Sequence, residues 1–506
     1  MAAAEFYVEN LDPASVVAVA RHGARVTMGE EARKRVGASR GRVEIMIEGT
    51  LPVYGVTTGF GALANTRITA DKRLELQHSL LRSHAAGMGE FVEPEVVRAM
   101  MVIRAKTLSA GYSGVRPELI DALVTFLNAD LTPAVPEYGS MGASGDLAPL
   151  AHVGLCLVGE GRLLERGEPV QSRGAMERAG IRPIRLATKE GLALINGTQP
   201  STAVTALACT AAETLARSAD VAAALSIDAL QGSLRPFDAR IHDARPHSGQ
   251  RIAAANVLTL LSGSAINKSH EHCGRVQDAY SLRCAAQVHG AARDALSFVR
   301  QTLSIEANGA TDNPMVFGED DDIVSGGNFH GAPVAIAADL LAIAVTQLAT
   351  ISERRSDRLV DPALSGLPPF LTTESGVQSG YMMAQVTAAA LASELKTLAH
   401  PASVDTIPTS ANREDHVSMS MGAALKAEAA VALAVRVIAV EVLCACQALD
   451  LLVPLRTSAA LQRVHDFVRS IAAPLAADRP PSRDIEEISR TIRSGEFVRA
   501  CGAEVK

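Results

Sequence analysis

Three consecutive residues, Ala143, Ser144 and Gly145, can together make an electrophile, which ordinary side chains, being nucleophiles, acids and bases, do not supply. Glycine has the least hindered amide nitrogen of any residue type. A tight turn that presses the Gly145 nitrogen onto the Ala143 carbonyl carbon closes a five-membered ring with loss of water. Loss of a second water from Ser144 leaves an exocyclic methylene, and the product is 4-methylidene-imidazol-5-one (MIO). Ala-Ser-Gly alone is a weak signal, since Gly/Ser clusters are mostly loops. The specific part is the surrounding run, Gly139-Ser140 before it and Asp146-Leu147-Ala148-Pro149 and Ala151-His152 after it.

Other strings bear on chemistry. Tyr54-Gly55-Val56-Thr57-Thr58-Gly59-Phe60-Gly61 packs several glycines into a short span, which implies close backbone approach. It lacks the Lys-Ser/Thr of a phosphate loop and the GxGxxG order, so it does not read as a nucleotide site. Tyr280 and Arg283 lie three apart, on one side of a helical turn, and an arginine fork suits a carboxylate. Taken alone, His84 in Ser83-His84-Ala85-Ala86-Gly87 reads as a structural histidine, and Asn196-Gly197 as a turn. Glu414 in Arg413-Glu414-Asp415-His416 reads as a solvated charge cluster, and Phe329 in Asn328-Phe329-His330-Gly331 as core packing. His270-Glu271-His272-Cys273 matches neither HExxH nor paired CxxC spacing, so no metal site is expected. Cys444 and Cys446 read as core.

Together these strings resemble the aromatic amino acid ammonia-lyases, from about residue 10 to the C-terminus. The resemblance implies that Ala143-Ser144-Gly145 forms the MIO cofactor, that Tyr54 is the catalytic base and that Tyr280 is a second tyrosine of the pocket. It assigns Arg283 and Asn196 to the substrate α-carboxylate and places Phe329 beside the cofactor. His84 and Glu414 face the substrate side chain. Relatives acting on phenylalanine tend to have Phe-Leu where this chain has Ser83-His84, and those acting on tyrosine His-Leu. Histidine-directed relatives have Ser-His, and Glu-Asp-His at 414–416, where the others typically carry an amide before the aspartate. A carboxylate accepts from an imidazole N–H and is a costly neighbour for a phenyl ring. The expected reaction is therefore elimination of ammonia from L-histidine to give trans-urocanate; whether the amine or the ring attacks the electrophile stays open. Weighed against it are tyrosine or phenylalanine elimination, an aminomutase, a non-catalytic scaffold, and the fumarase-like lyases, whose Gly-Ser-Ser-x-Met-Pro signature is absent. Arg413, where histidine-directed relatives often have Gln, and Ala279, where Pro is common, depart from the pattern.

The elements that must position these residues read as helices. The chain has 506 residues, 48% hydrophobic and 20% charged, with no Trp, and its Ala/Leu-rich composition suits helix-on-helix packing. A net charge of −7 argues against nucleic acid. Asp12-Pro13 predicts a helix start and Gly23 a stop. Further helices are predicted over 94–109, 117–128, 201–230, 332–356, 377–398 and 418–452, and a hairpin over 162–172 turning near Gly167. The apolar stretches 332–351 and 430–453 lack an aromatic belt or flanking basic loops, so they read as bundle helices rather than membrane spans. The expected fold is all-α, with a cofactor-bearing N-terminal region (1–200), a long helical bundle (201–506) and minor short β-hairpins. The seven scattered cysteines and the absence of a leader pattern predict a cytoplasmic protein. The resemblance adds a homotetramer with shared active sites, drawing residues from three subunits.

Overall fold

The computed structural model describes residues 5–10, 12–49, 52–59, 65–271, 273–320 and 322–506. Phe60 and Gly61 of the tyrosine motif, His272 of the tested metal run and the first four residues lie outside this description.

The fold is all-α in character. Strands occur among the described residues only as four two-stranded ladders. Local signals place the helix ends. Asp12 accepts from Ser15 N at 2.7 Å and opens Pro13–His22, and Gly23, at φ 63°, closes it. Pro94–Ser109 and Pro117–Asn128 each begin on proline, whose missing N–H has no partner to lose at a first turn. The hairpin pairs Arg162–Glu165 with Glu168–Gln171. Its two turn residues, Arg166 and Gly167, are both left-handed, the geometry that matches strand twist.

The chain divides into two compact units. The first comprises residues 1–207, 300–338 and 401–425. Its core is built on Pro94–Ser109, buried along most of its length, which packs on Pro13–His22 and Pro117–Asn128. Beside it three helices pack on one another: Arg73–His84, Leu147–Leu157 and Glu190–Ile195. His84 ends the first, the Ala143-Ser144-Gly145 turn leads into the second, and Asn196 follows the third. Mutual packing of three helices thus sets the stage for three of the singled-out segments.

The second unit comprises 208–299, 339–400 and 426–506. The helices Ala332–Val360 and Ser420–Leu451 are long and apolar enough to cross a membrane, yet 72% and 78% of their most apolar windows are buried within the protein. The charges that interrupt them have partners. Asp339 pairs with Lys426 at 3.0 Å, Arg436 with Glu486 at 2.7 Å, and Glu441 with Arg355 at 2.5 Å. The helix expected from 377 begins instead at Met382. The N–H groups of Ser379 and Gly380 donate to the Asp478 carboxylate at 2.8 and 2.9 Å, which holds them outside the helical ladder.

Candidate active site

The Ala143-Ser144-Gly145 segment is a bend between the strand Pro136–Tyr138 and the helix Leu147–Leu157. Gly145 has φ 74°, a left-handed conformation that side chains disfavour. Space forbids one as well: a Cβ here would lie 2.5 Å from Gly197 O and 2.7 Å from Gly197 N. Asp146 N donates to the same Gly197 oxygen at 2.8 Å. The Asp146 carboxylate is fully buried and accepts from Ser140 Oγ at 2.6 Å and from Ser201 N and Oγ at 2.9 and 2.7 Å. Burial raises its pKa above the ordinary value, outweighing these hydrogen bonds. The bend is thereby fastened at its C-terminal end to the chain that follows Asn196.

On the other side, Ser144 Oγ donates to Glu414 Oε1 at 2.5 Å. Glu414 Oε2 accepts from Thr409 Oγ1 at 2.6 Å, and the two residues bridge through their backbones. Between them Ser410, Ala411 and Asn412 are all left-handed, at φ 50°, 53° and 62°. Such a run costs on the order of 1 kcal/mol or more per non-glycine residue, and it delivers Glu414 to Ser144. Arg413 is exposed, and Glu414 is held by two hydroxyls rather than by its guanidinium. Ser418 Oγ donates to Gly142 O at 3.0 Å.

His84 is half-buried. Its Nδ1–H donates to Leu80 O at 2.9 Å, since a carbonyl can only accept, so Nε2 carries the lone pair. Burial lowers its pKa, while the Leu80 hydrogen bond and the nearby Glu414 charge act the other way; the ring is neutral at neutral pH. Asn196 is buried and its Oδ1 has no partner among the described residues. Tyr54 sits in a turn and packs against the main core cluster. Phe329 lies in a half-buried turn between the hairpin ending at Val324 and the helix beginning at Ala332.

Ser144, Glu414 and the Asn196–Gly197 segment therefore meet around one bend in the first unit. Tyr280 and Arg283 belong to the second unit. There the Arg283 guanidinium stacks over the Tyr280 ring at 4.6 Å, its Nε donates to Asp278 O at 3.0 Å, and Tyr280 is 70% exposed. Sequence reasoning gave no role to Ser140, Ser201, Thr409 or Ser418. Hydroxyls clustered near a glycine-rich turn were the available sign, and a common one.

A family model for aromatic amino acid lyases matches residues 11–470. The chain belongs to the aromatic amino acid lyase family. It is 51% identical over 488 residues to a histidine ammonia-lyase of Symbiobacterium thermophilum, covering 96% of each chain. Its fold is similar to the crystal structure of histidine ammonia-lyase from Trypanosoma cruzi, with a TM-score of 0.91 at 41% identity over 98% of this chain and 95% of that one. It is similar also to tyrosine aminomutase from Streptomyces globisporus, with a TM-score of 0.94 at 38% identity over 99% and 100% of the two chains. One aromatic amino acid lyase fold thus accompanies different named activities, and substrate choice must rest on side chains.

Proposed function

We propose that this family member converts L-histidine to trans-urocanate and ammonia, a carbon–nitrogen lyase reaction. The observation that carries the substrate is the Glu414 carboxylate on Ser144 Oγ, close enough to the neutral His84 ring for its charge to act there. The Glu414 carboxylate can accept from the one N–H of a substrate imidazole, or pair with an imidazolium, and would be left desolvated beside a phenyl ring.

The residues present fit an MIO group. Gly145 stands where no Cβ can, against the Gly197 backbone, as closure of a ring through its nitrogen requires. When formed from Ala143, Ser144 and Gly145, the MIO supplies an electrophile that makes the substrate's ammonia a better leaving group. Arg283, Asn196 and Tyr280 hold the α-carboxylate; Arg283 offers a fork suited to it. His84 and Glu414 orient the imidazole, and Phe329 packs beside the cofactor segment. Dehydration of Ser144 removes the hydroxyl that now donates to Glu414 Oε1 and leaves that oxygen for a substrate N–H. Tyr54 takes the β-proton. The exposed Tyr280, with Val276, Val377 and Met383 also exposed, supports a homotetramer whose active sites are shared between copies. The seven free cysteines are in keeping with a cytoplasmic setting.

The deciding experiment is the ultraviolet spectrum of purified protein incubated separately with L-histidine, L-tyrosine and L-phenylalanine. Urocanate from histidine alone is the expected result. Coumarate or cinnamate would overturn the substrate assignment while leaving the lyase chemistry intact.

A further inference from the structure

Arg104 is 1% exposed and pairs with no carboxylate among the described residues. The charge that acts on it most is Asp312, which pairs with Lys189 at 3.2 Å. Burial lowers the Arg104 guanidinium to about 10, so it stays charged at neutral pH. A buried cation without a direct counter-ion is unfavourable, and its donors show what it holds. Nη2 donates to Ala193 O, in the helix Glu190–Ile195. Nη1 donates to Gln199 Oε1 at 3.0 Å, at the start of the helix Gln199–Ala229, and to Thr311 O at 3.4 Å. Gln199 Nε2 in turn donates to Thr311 Oγ1 at 2.7 Å and Thr107 Oγ1 at 3.1 Å. One guanidinium thus ties the end of one helix to the start of the next, on either side of Asn196-Gly197-Thr198.

Gly197 is clamped between this brace and the reactive bend. A Cβ on Gly197 would lie 2.5 Å from Arg104 Nη1 and 2.6 Å from Thr311 O. A Cβ on Gly145 would meet the Gly197 backbone within 2.7 Å. There is therefore no room for a methyl group between Gly145 and Gly197, nor between Gly197 and Arg104.

We propose that Arg104, with Gln199, is a positioning residue for formation of the cofactor: it fixes Gly197 as the surface against which the Ala143-Ser144-Gly145 bend is held for ring closure. The inference rests on the functional reading above. The bond that forms joins Gly145 N to the Ala143 carbonyl carbon. The Ala143 oxygen departs as water with the amide hydrogens of Gly145 and Ser144, and a second water takes Ser144 Oγ with its hydrogen and the Ser144 Cα hydrogen. No oxidant is required, and the chain becomes lighter by about 36 Da, two waters.

The test is the intact mass of the purified full-length wild type and of Arg104→Met, Arg104→Lys and Gln199→Met, with circular dichroism and thermal melting as the check on folding. An apolar side chain of similar length satisfies a purely structural role, so Arg104→Met separates the two roles. The wild type is expected to show the complete mass loss. Folded Arg104→Met should contain at least tenfold less of the lighter species, Arg104→Lys an intermediate fraction, and Gln199→Met a slower approach to completion. Activity per cyclised site should keep the wild-type KM. Complete mass loss in folded Arg104→Met overturns the inference. If that variant does not fold, complete and equally fast mass loss in both other variants overturns it. A wild type at its full sequence mass overturns the functional reading itself.

Discussion

Arg104 in the first unit and Arg355 in the second are both buried cations, and they are held in opposite ways. Arg355 is fully buried and forms a two-pronged pair with Glu441, at 2.5 and 2.8 Å, which Ser226 also supports at 2.6 Å. Its remaining nitrogen, Nη1, reaches Ser281 O and His289 Nε2, and His289 in turn donates from Nδ1 to Asp220 at 2.7 Å. Among the described residues, Arg104 donates to carbonyl and amide oxygens. A buried guanidinium matched by a carboxylate is a closed electrostatic unit. One matched by neutral acceptors directs its donors at the backbone, and here that backbone leads to the Ala143-Ser144-Gly145 bend.

The most severe way to break this comparison is Glu441→Ala. It leaves Arg355 buried without its counter-ion and should cost about 3–5 kcal/mol, read from the urea midpoint. A cost below that of Arg104→Met would erase the distinction between the two cations. Next is Gly197→Ala, which forces a methyl group between Arg104 and the bend. We expect a loss of about 1–3 kcal/mol from overpacking, together with an incomplete mass loss on the intact protein, whereas Glu441→Ala should leave the mass loss of the folded fraction complete.

A gentler probe uses pH. Burial lowers the His289 pKa against the opposing pull of Asp220 and Glu441, with Arg355 acting in the same direction as burial. The folded state therefore binds its proton less readily than the unfolded state. The stability is fully present above the unfolded histidine value of about 6.5 and is lost as pH falls through that value toward the lowered folded one. The slope is at most about 1.4 kcal/mol per pH unit for one proton. His289→Asn should flatten it in urea melts between pH 7 and 5; an unchanged slope would show that another group carries it. The smallest effect is expected at the surface pair of Arg82 and Glu160, joined at 2.7 Å but with 57% and 33% of the side chains exposed. Arg82→Ala should shift the urea midpoint only slightly at low salt and not at all at high salt.

Much of the site was legible because its signals are local. The tripeptide, the Ser83-His84 pair and Glu414 are each read within a few residues, and the Asp12 cap, the prolines at helix starts and the Gly167 turn act over one turn of chain. The two buried cations were not legible. Arg104 lies in Met100-Met101-Val102-Ile103-Arg104-Ala105-Lys106, where an arginine beside a lysine passes for surface charge. Glu441 looked like a break in an apolar helix, because its partner Arg355 is 86 residues away. Pairings of that kind follow from tertiary packing and leave no periodic trace. Ser410-Ala411-Asn412 gave no warning either, since a left-handed run is normally announced by glycine.

That run has a consequence for engineering. Glycine at 411 would relieve the backbone there by roughly 1 kcal/mol, so a selection that rewards thermal tolerance alone would be drawn to it. The substitution would also slacken the segment that carries Glu414, and with it the hydrogen bond between Glu414 and Ser144 Oγ. Heat resistance and the placing of Glu414 are thus set in competition at a single residue, and a campaign to improve the protein should score both from its first round.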